Sequence, residues 1–453
     1  MLLADGGGMY TLVSSTQPKR LFAGLTSGGL ARVGSSKALA EMLYGGLTPF
    51  TDYVATCSYG KARFDQQNTR ILTVKLPCNG TGHVTGMRWT SDSCSQDNLF
   101  NWMYEVEYYI DNVLKPPSWN HRRFRHHIII TPRNMTGWAG AGCDWSGVGS
   151  VGMAQGSWSY AWISGDSWQT KQVYLHEMGH NYNLMHAATL ENGSPDSCSH
   201  CDWSSAMGFC CDTRCMSAPH SWQMGWAKPA AVVSVKQLTR GNTLAYELPS
   251  AIMSDAHYLQ VTTNWLNNSA VSESAASRLG GSAFYSPANA SFLFSYRLRF
   301  DDFDEVPDGF SGGTNVHLFT VDSQYDLRDS VHLALLTADS PVWTDPSGTL
   351  VVRQVAADNM SAIVTVCRPE PEASYEQCMD FWDNDCDGLI GEAGLPGLPP
   401  SSSFAPTIAI PTTFSSSPTS LPSSTTTALL ATAASSLPSI TTTPPVHVST
   451  SAR

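Results

Sequence analysis

Residues 174–186 read YLHEMGHNYNLMH and contain three histidines and one glutamate at the spacing of a metal-binding helix. Positions four apart lie on one helix face, so His176 and His180 can offer two imidazole nitrogens to one ion, with Glu177 beside it. A continuing helix would carry His186 about 15 Å along the axis from His176, at 1.5 Å per residue. His186 therefore joins the site only if the helix ends soon after His180 and the chain doubles back.

Asn183 lies at this expected reversal. Asparagine is enriched among the non-glycine residues that adopt the left-handed backbone of a helix end, so the sequence permits the turn. Three protein ligands leave a fourth position open for water, as catalytic rather than structural zinc sites do. We therefore predict that His176, His180 and His186 bind zinc and that Glu177 acts as the general base on a water molecule.

The spacing resembles the metzincin zinc endopeptidase signature HExxHxxGxxH, with Asn183 in place of the usual glycine. Downstream, SSAMGF places Met207 where a metzincin has its Met-turn, the tight turn beneath the zinc. Residues 55–64 (ATCSYGKARF) and 217–226 (SAPHSWQMGW) resemble the gametolysin family, the matrix and cell-wall metalloproteases of green algae. The resemblance implies an α+β metzincin-like catalytic domain, in which a twisted sheet accompanies the active-site helix.

The resemblance also implies where a substrate binds. In metzincins the strand before the zinc helix is the sheet edge that pairs with an extended substrate, and here the strand with Trp158, Tyr160 and Trp162 has that position. An ordinary half-buried strand is the alternative. Phe209 stands where some metzincins have a tyrosine, so the sequence assigns no second donor to the oxyanion. His220, nearby in sequence, has either a core or a catalytic role.

The composition of the chain limits which binding partners and which cellular compartment we expect. A net charge of -12 counts against binding to nucleic acid, and no run of 18 apolar residues predicts a membrane span. The 12 cysteines and several Asn-X-Ser/Thr sequons indicate a secreted glycoprotein with disulfides, in the extracellular matrix or cell wall. The sequons are at Asn79, Asn134, Asn192, Asn267, Asn289 and Asn359. No signal peptide is visible, so either the chain begins inside a longer precursor, which we expect, or its export is unconventional.

Pattern and composition predict five regions. They are a leader or propeptide remnant (1–50), the catalytic domain (51–229), an all-β sandwich-like domain (230–368), an Asp-rich segment (369–396) and a disordered Ser/Thr/Pro-rich tail (397–453). Within the catalytic domain we expect two strands over 53–74, an amphipathic helix over 96–114 and a buried strand over 126–131. The HRRFRHH segment (121–127) is expected to be a solvated strand start, or alternatively a patch for acidic substrates. The sandwich-like domain serves either docking or support.

The cysteines after the zinc helix leave two options. They are Cys198, Cys201, Cys210, Cys211 and Cys215. Their CxxC and CCxxxC spacing suits a structural zinc site, whereas an oxidising compartment favours disulfides. Spacing also suggests Cys78 with Cys94, and Cys378 with Cys386, as pairs.

Asp383, Asp385 and Asp387 have the 1, 3, 5 spacing of a calcium loop. The residue at position 12 of that loop is Gly394 rather than glutamate, and Glu392 is the nearest substitute. The segment is therefore either a Ca²⁺ site or an acidic, solvated linker.

Two functions follow. The first is a secreted zinc endopeptidase that cleaves extracellular matrix or cell-wall glycoproteins; this substrate class rests on the resemblance alone. The alternative is a catalytically inactive matrix or adhesion glycoprotein on a protease scaffold. Retention of His176, Glu177, His180 and His186 favours the enzyme. The sequence leaves the cleavage-site preference and the oligomeric state open.

Overall fold

The computed structural model describes residues 9–14, 36–152, 157–190, 197–262, 290–320, 327–345, 348–370, 385–386 and 448–450. All of them belong to one compact unit. None of the described helices combines the length and the apolar character that crossing a membrane requires. Two residues of the predicted calcium loop, Asp383 and Asp387, and nearly all of the predicted tail lie outside the described residues.

The protein has a mixed α+β fold, as predicted. The α-helices among the described residues are α1 (Ser36–Tyr44), α2 (Phe50–Cys57), α3 (Gln96–Tyr109), α4 (Met135–Ala139), α5 (Lys171–Asn181) and α6 (Ala218–Gln223). The described strands are β1 (Met9–Ser14), β2 (Arg70–Val74), β3 (Asn79–Thr81), β4 (Arg88–Thr90), β5 (His126–Ile130), β6 (Gly147–Ser150), β7 (Ser159–Ile163), β8 (Ala187–Leu190), β9 (Ser197–Cys198), β10 (Lys228–Val233), β11 (Asn242–Pro249), β12 (Ala256–Thr262), β13 (Ala290–Arg297), β14 (Gly313–Thr320), β15 (Ser330–Leu336), β16 (Val342–Thr344), β17 (Val351–Ala357), β18 (Ser361–Arg368) and β19 (Val448–Thr450).

The central sheet separates two helices. Its strand order is β19-β6-β7-β5-β1-β2, with β6 antiparallel to β7 and β5 parallel to β7. Side chains alternate between the faces of a strand, so Ile129 packs with α3 while Ile128 and Ile130 pack with α5. The helix that contains HExxH thus lies on one face, and the predicted amphipathic helix α3, continued by a π-helical turn (Ile110–Leu114), lies on the other.

The predicted substrate strand is not a sheet edge. β7 pairs with β5 on one side and with β6 on the other, so its backbone groups are used within the sheet. Its aromatic side chains face α3: Trp162 Nε1 donates to the Leu99 carbonyl at 3.1 Å, and Trp158 Nε1 donates to Glu107 Oε1 at 3.0 Å. The assignment of Trp158, Tyr160 and Trp162 to an edge strand is therefore wrong. The strand nearer the edge is β6, which has the sequence GVGS.

The segment before β2 also differs from the prediction. Residues 50–57 form α2 rather than a strand, because their buried residues follow a helical spacing of three and four. These residues are Phe50, Tyr53, Val54 and Cys57. Leu39 and Leu43 of α1 are buried in the same core as α5, so the end of the predicted leader packs with the HExxH helix in one core.

A second core lies between two further sheets. The strand orders are β10-β12-β13-β14-β15-β8-β9 and β11-β18-β17-β16, and the core includes Phe294 and Val316 from the first sheet and Val352 and Val364 from the second. β8 and β9 follow the HExxH helix in sequence, so the larger sheet includes strands from both sides of the predicted boundary at 229/230. The division into two domains stays a prediction.

The disulfides confirm one prediction and correct two. The described pairs are Cys57–Cys215, Cys94–Cys143, Cys198–Cys201, Cys210–Cys211 and Cys367–Cys386. All the cysteines between α5 and α6 are in disulfides, as the oxidising-compartment argument predicted. Cys94 pairs with Cys143 rather than with Cys78, and Cys386 pairs with Cys367 rather than with Cys378. Spacing alone failed there because tertiary packing brings together cysteines that are distant in sequence.

Candidate metal centre and active site

The HExxH helix α5 ends where the sequence predicted. Asn183 has a left-handed backbone with φ 68°. Its N–H donates to the His180 carbonyl at 2.9 Å, and the Leu184 N–H donates to the Gly179 carbonyl at 3.0 Å, which satisfies the last carbonyls of the helix. The chain then reverses and leads into β8, immediately after His186.

The reversal brings the three predicted ligands together. Ring centroids are 4.9 Å apart for His176 and His180, 4.8 Å for His180 and His186, and 5.5 Å for His176 and His186. One ligand nitrogen from each ring lies within 4.8 Å of the others, and all three residues are buried. The geometry is therefore that of a closed group of three imidazoles.

The hydrogen bonds orient two of these rings toward the centre. His176 Nδ1 lies 3.0 Å from the Ala206 carbonyl oxygen, and His180 Nδ1 lies 2.8 Å from the Leu184 carbonyl oxygen. A carbonyl only accepts, so each Nδ1 holds the proton and each Nε2 has a lone pair. Both Nε2 atoms are buried and have no hydrogen-bond partner among the described residues. Buried acceptors without donors fit a cation.

The electrostatics keep the rings in the form that binds metals. Burial lowers the pKa of His180 to about 4 and lowers the pKa of His176 and His186 well below the ordinary value. Neighbouring imidazoles lower the pKa of His176 and His186 further. The three rings are therefore neutral at pH 7, which is the protonation state of a histidine ligand.

Glu177 lies in a narrow space between α5 and β6. The residue is fully buried. A Cβ atom at Gly149 would lie 2.7 Å from the Glu177 carbonyl oxygen, and one at Gly147 would overlap the Glu177 carboxylate. Only glycine allows β6 to approach the helix this closely, which explains the GVG sequence.

Met207 lies against the same helix. It is fully buried, and a Cβ atom at Gly179 would lie 2.5 Å from the Met207 sulfur. The Met207 carbonyl accepts from the Ala187 N–H at 3.1 Å, beside the third histidine. The Cys57–Cys215 disulfide holds the returning chain, where the Cys215 carbonyl accepts from Ala206. This position suits a Met-turn, a role that stays a prediction.

Two residues next to the site escaped the sequence reasoning. Asp329, just before β15, accepts from the His186 N–H at 3.0 Å and so positions the third histidine, and burial raises the pKa of Asp329 to about 6. The His200 ring lies 3.8 Å from the His186 ring and 6.4 Å from the His176 ring. Neither residue has a sequence spacing that would have indicated it, because the larger sheet and the cysteine-rich loop bring them here.

Other predicted residues have structural surroundings. His220 is fully buried in α6 with Nδ1 3.1 Å from Ser205 Oγ, which suits a core role. His121, His126 and His127 are also buried, so the prediction of a solvated segment at 121–127 is wrong: these imidazoles pack beneath helices on both faces of the sheet. Of the predicted calcium ligands only Asp385 is described, and that site stays a prediction.

Three buried imidazoles, two on the HExxH helix and one just after it, with the glutamate beside them, form the residue pattern of a metallopeptidase site. A sequence model described as gametolysin peptidase M11 matches residues 33–279, which is more than half of the chain. The chain belongs to this family.

The chain is also 24% identical over 429 residues to autolysin from Chlamydomonas reinhardtii. The similarity covers 78% of this chain and 64% of that relative. This chain thus spans less than two thirds of the length of the autolysin that it matches.

Proposed function

We propose that this protein is a secreted, zinc-dependent endopeptidase of the metzincin type that hydrolyses extracellular matrix or cell-wall glycoproteins. The observation that supports the proposal most is the pair of buried, unpartnered Nε2 atoms of His176 and His180 beside His186. Membership in the gametolysin family and the similarity to an autolysin support the class of substrate.

His176, His180 and His186 would hold the zinc as three neutral ligands, leaving one position open. When bound, zinc lowers the pKa of water and polarises a substrate carbonyl. The Glu177 carboxylate removes a proton from the attacking water and delivers it to the leaving amine. The glycines of β6 hold that carboxylate against α5 and shield it from bulk solvent.

The substrate backbone would bind along the outer side of β6. In the structure β19 already pairs there in antiparallel fashion, with Ser449 opposite Gly149 and Thr450 opposite Val148. An extended peptide therefore fits this edge, and main-chain pairing gives affinity that is independent of the peptide's side chains. This assignment replaces the one first made for β7.

The test compares the purified protein with Glu177→Ala on gelatin and on a cell-wall glycoprotein, with zinc measured in both. We expect kcat to fall by at least about 10²–10⁴, the usual contribution of a general base, with zinc content unchanged. Glu247→Gln, a change of an exposed carboxylate on β11, is the control and should cleave like the parent. Equal cleavage by Glu177→Ala and the parent would refute the proposal.

The alternative is an inactive matrix glycoprotein on the same scaffold. The absence of bound zinc from the parent would favour it. A scaffold that bound no metal would keep two buried nitrogens without partners, at a cost of about 1–3 kcal/mol each. This arrangement favours the enzyme.

A further inference from the structure

A second group of buried ligand-type side chains lies on the α3 face of the central sheet. It consists of Glu107 from α3, His121 from a 3-10 turn (His121–Arg123) and His127 from β5. One ligand atom from each lies within 4.8 Å of the others. His126, the neighbour of His127, faces the opposite way and contacts Asn181 of α5 at 2.9 Å. The group is therefore on the other side of the sheet from the HExxH site.

The contacts of His127 are incompatible with a neutral ring alone. Its Nδ1 lies 2.7 Å from Glu107 Oε1, and its Nε2 lies 3.0 Å from the His121 carbonyl oxygen. A carboxylate and a carbonyl are both acceptors, but a neutral imidazole has only one proton to donate. With Nε2–H donated to the carbonyl, the Nδ1 lone pair faces the carboxylate. Either a second proton or a metal ion must lie between these atoms.

His121 supplies a second ring with the same orientation. It is 1% exposed, and its Nε2 lies 3.3 Å from Asp111 Oδ2. Its Nδ1 lies 3.9 Å from Glu107 Oε1 and has no hydrogen-bond partner in the described part of the chain. An outer carboxylate thus orients the ring while the inner nitrogen faces the group. Histidines that bind metals are oriented in this way.

The carboxylates are held by groups outside the cluster. Trp158 donates from Nε1 to Glu107 Oε1 at 3.0 Å, and its ring stacks on His127 with centroids 5.3 Å apart. Arg122 contacts Asp111 at 2.8 Å. These contacts position Glu107 and Asp111 beside the two imidazoles.

We propose that Glu107, His121 and His127 form a second metal site, which binds a divalent cation of the Zn²⁺ class. Two imidazoles and one carboxylate are a common zinc ligand set. Tetrahedral zinc with bonds of about 2.0–2.1 Å places its ligand atoms about 3.3 Å apart. The observed separations from Glu107 Oε1, 2.7 Å to His127 and 3.9 Å to His121, lie on either side of that value. Small shifts of the side chains would therefore complete the site, which would join α3 to β5.

The test counts metal ions. The full-length protein is stripped with a chelator, reloaded with Zn²⁺ alone, passed over a desalting column and analysed by plasma mass spectrometry. We expect about two zinc ions per chain for the parent and loss of about one in His121→Ala. His83→Gln is the matched control, because His83 also pairs with a glutamate of α3, Glu105 at 2.7 Å, but lacks a second histidine. That variant should keep the parent's zinc content.

Two further variants serve if His121→Ala does not fold. Glu107→Gln keeps the shape of the side chain and should also lose about one zinc ion. Asp111→Asn removes an outer carboxylate and should weaken Co²⁺ binding at this site about 10–100-fold. The visible absorption of Co²⁺ measures this binding. The same zinc content in the parent, His121→Ala and Glu107→Gln would overturn the proposal and leave a proton between Glu107 and His127. Because metal is counted rather than cleavage, the result does not depend on the proposed peptidase activity.

Discussion

The two histidine clusters lie on opposite faces of one sheet and differ in what holds them together. In the HExxH cluster, the protons of His176 and His180 are donated to backbone carbonyls, and their inner nitrogens have no described hydrogen-bond partner. In the α3 cluster, Glu107 contacts the inner nitrogen of His127 directly. A proton shared between Glu107 and His127 can therefore take the place of a metal in the second cluster. The first cluster has no carboxylate among its three predicted ligands that could share a proton in this way. Loss of metal should abolish activity through the first cluster and reduce stability through the second.

The largest expected effect separates the clusters by activity. His180→Ala removes a zinc ligand, and since the metal supplies several kcal/mol of transition-state stabilisation, we expect kcat/KM to fall by at least about 10³. His127→Ala should leave kcat/KM within about tenfold of the parent. It should lower the free energy of unfolding by about 1–3 kcal/mol, because Glu107 loses its contact with His127 and keeps that with Trp158. Peptide hydrolysis measures kcat/KM of both variants, and urea denaturation measures their free energies of unfolding. Equal loss of activity in both would contradict the division of roles.

The next effect tests how closely β6 must approach the first cluster. Gly147→Ala places a methyl group against the Glu177 carboxylate, and a displacement of about 1 Å at a catalytic group is expected to lower kcat about 10²-fold. Zinc content should not change in either cluster. Gly142→Ala is the matched control, since a Cβ atom there meets nothing within 4 Å. Wild-type kcat in Gly147→Ala would show that the carboxylate is not confined as the structure indicates.

The contrast also shows what the sequence could predict. His176, Glu177 and His180 lie within one helix, and Asn183 determines the turn that follows, so local spacing sufficed to find them. The amphipathic helix over 96–114 was equally local, because its apolar period needs no information about the rest of the chain.

The second cluster and the edge strand were beyond such reasoning. Glu107 and His127 are 20 positions apart and meet only because α3 packs across β5. The buried position of β7 followed from its pairing with β6, and the Gly147–Ser150 strand has the composition of a loop. Asp329 reaches His186 across 143 positions. In each case tertiary packing, rather than local preference, places the residue.

A smaller effect concerns the support of the third histidine. Asp329→Asn retains an oxygen that can accept from the His186 N–H but removes the negative charge. Groups bonded to the ring of a ligating histidine typically contribute 10–100-fold to affinity; because Asp329 bonds to the backbone of His186 instead, we expect the HExxH cluster to lose zinc affinity by at most about tenfold. The α3 cluster should keep its affinity, which a competitive chelator titration measures. Weaker zinc binding at both clusters would indicate a general loss of stability instead.

The last effect concerns His332, a buried histidine outside both clusters, and it involves protons alone rather than metal. Its Nε2 lies 3.0 Å from Asn315 Oδ1, with His317 and Asp202 close by, and burial lowers the pKa of His332 to about 4. The unfolded chain binds a proton at this residue below about pH 6.5, but the folded chain does so only below about 4. Folding stability is therefore lost as the pH falls from about 6.5 to 4.

In His332→Gln the free energy of unfolding should depend less steeply on pH. The slope should decrease by up to about 1.4 kcal/mol per pH unit, which corresponds to one bound proton. Urea denaturation of metal-free parent and variant between pH 6.5 and 4.5 measures the two slopes. Equal slopes would mean that His332 binds its proton equally in the folded and unfolded chains. Acid sensitivity would then come from other buried groups, such as His126, whose pKa burial lowers to about 4.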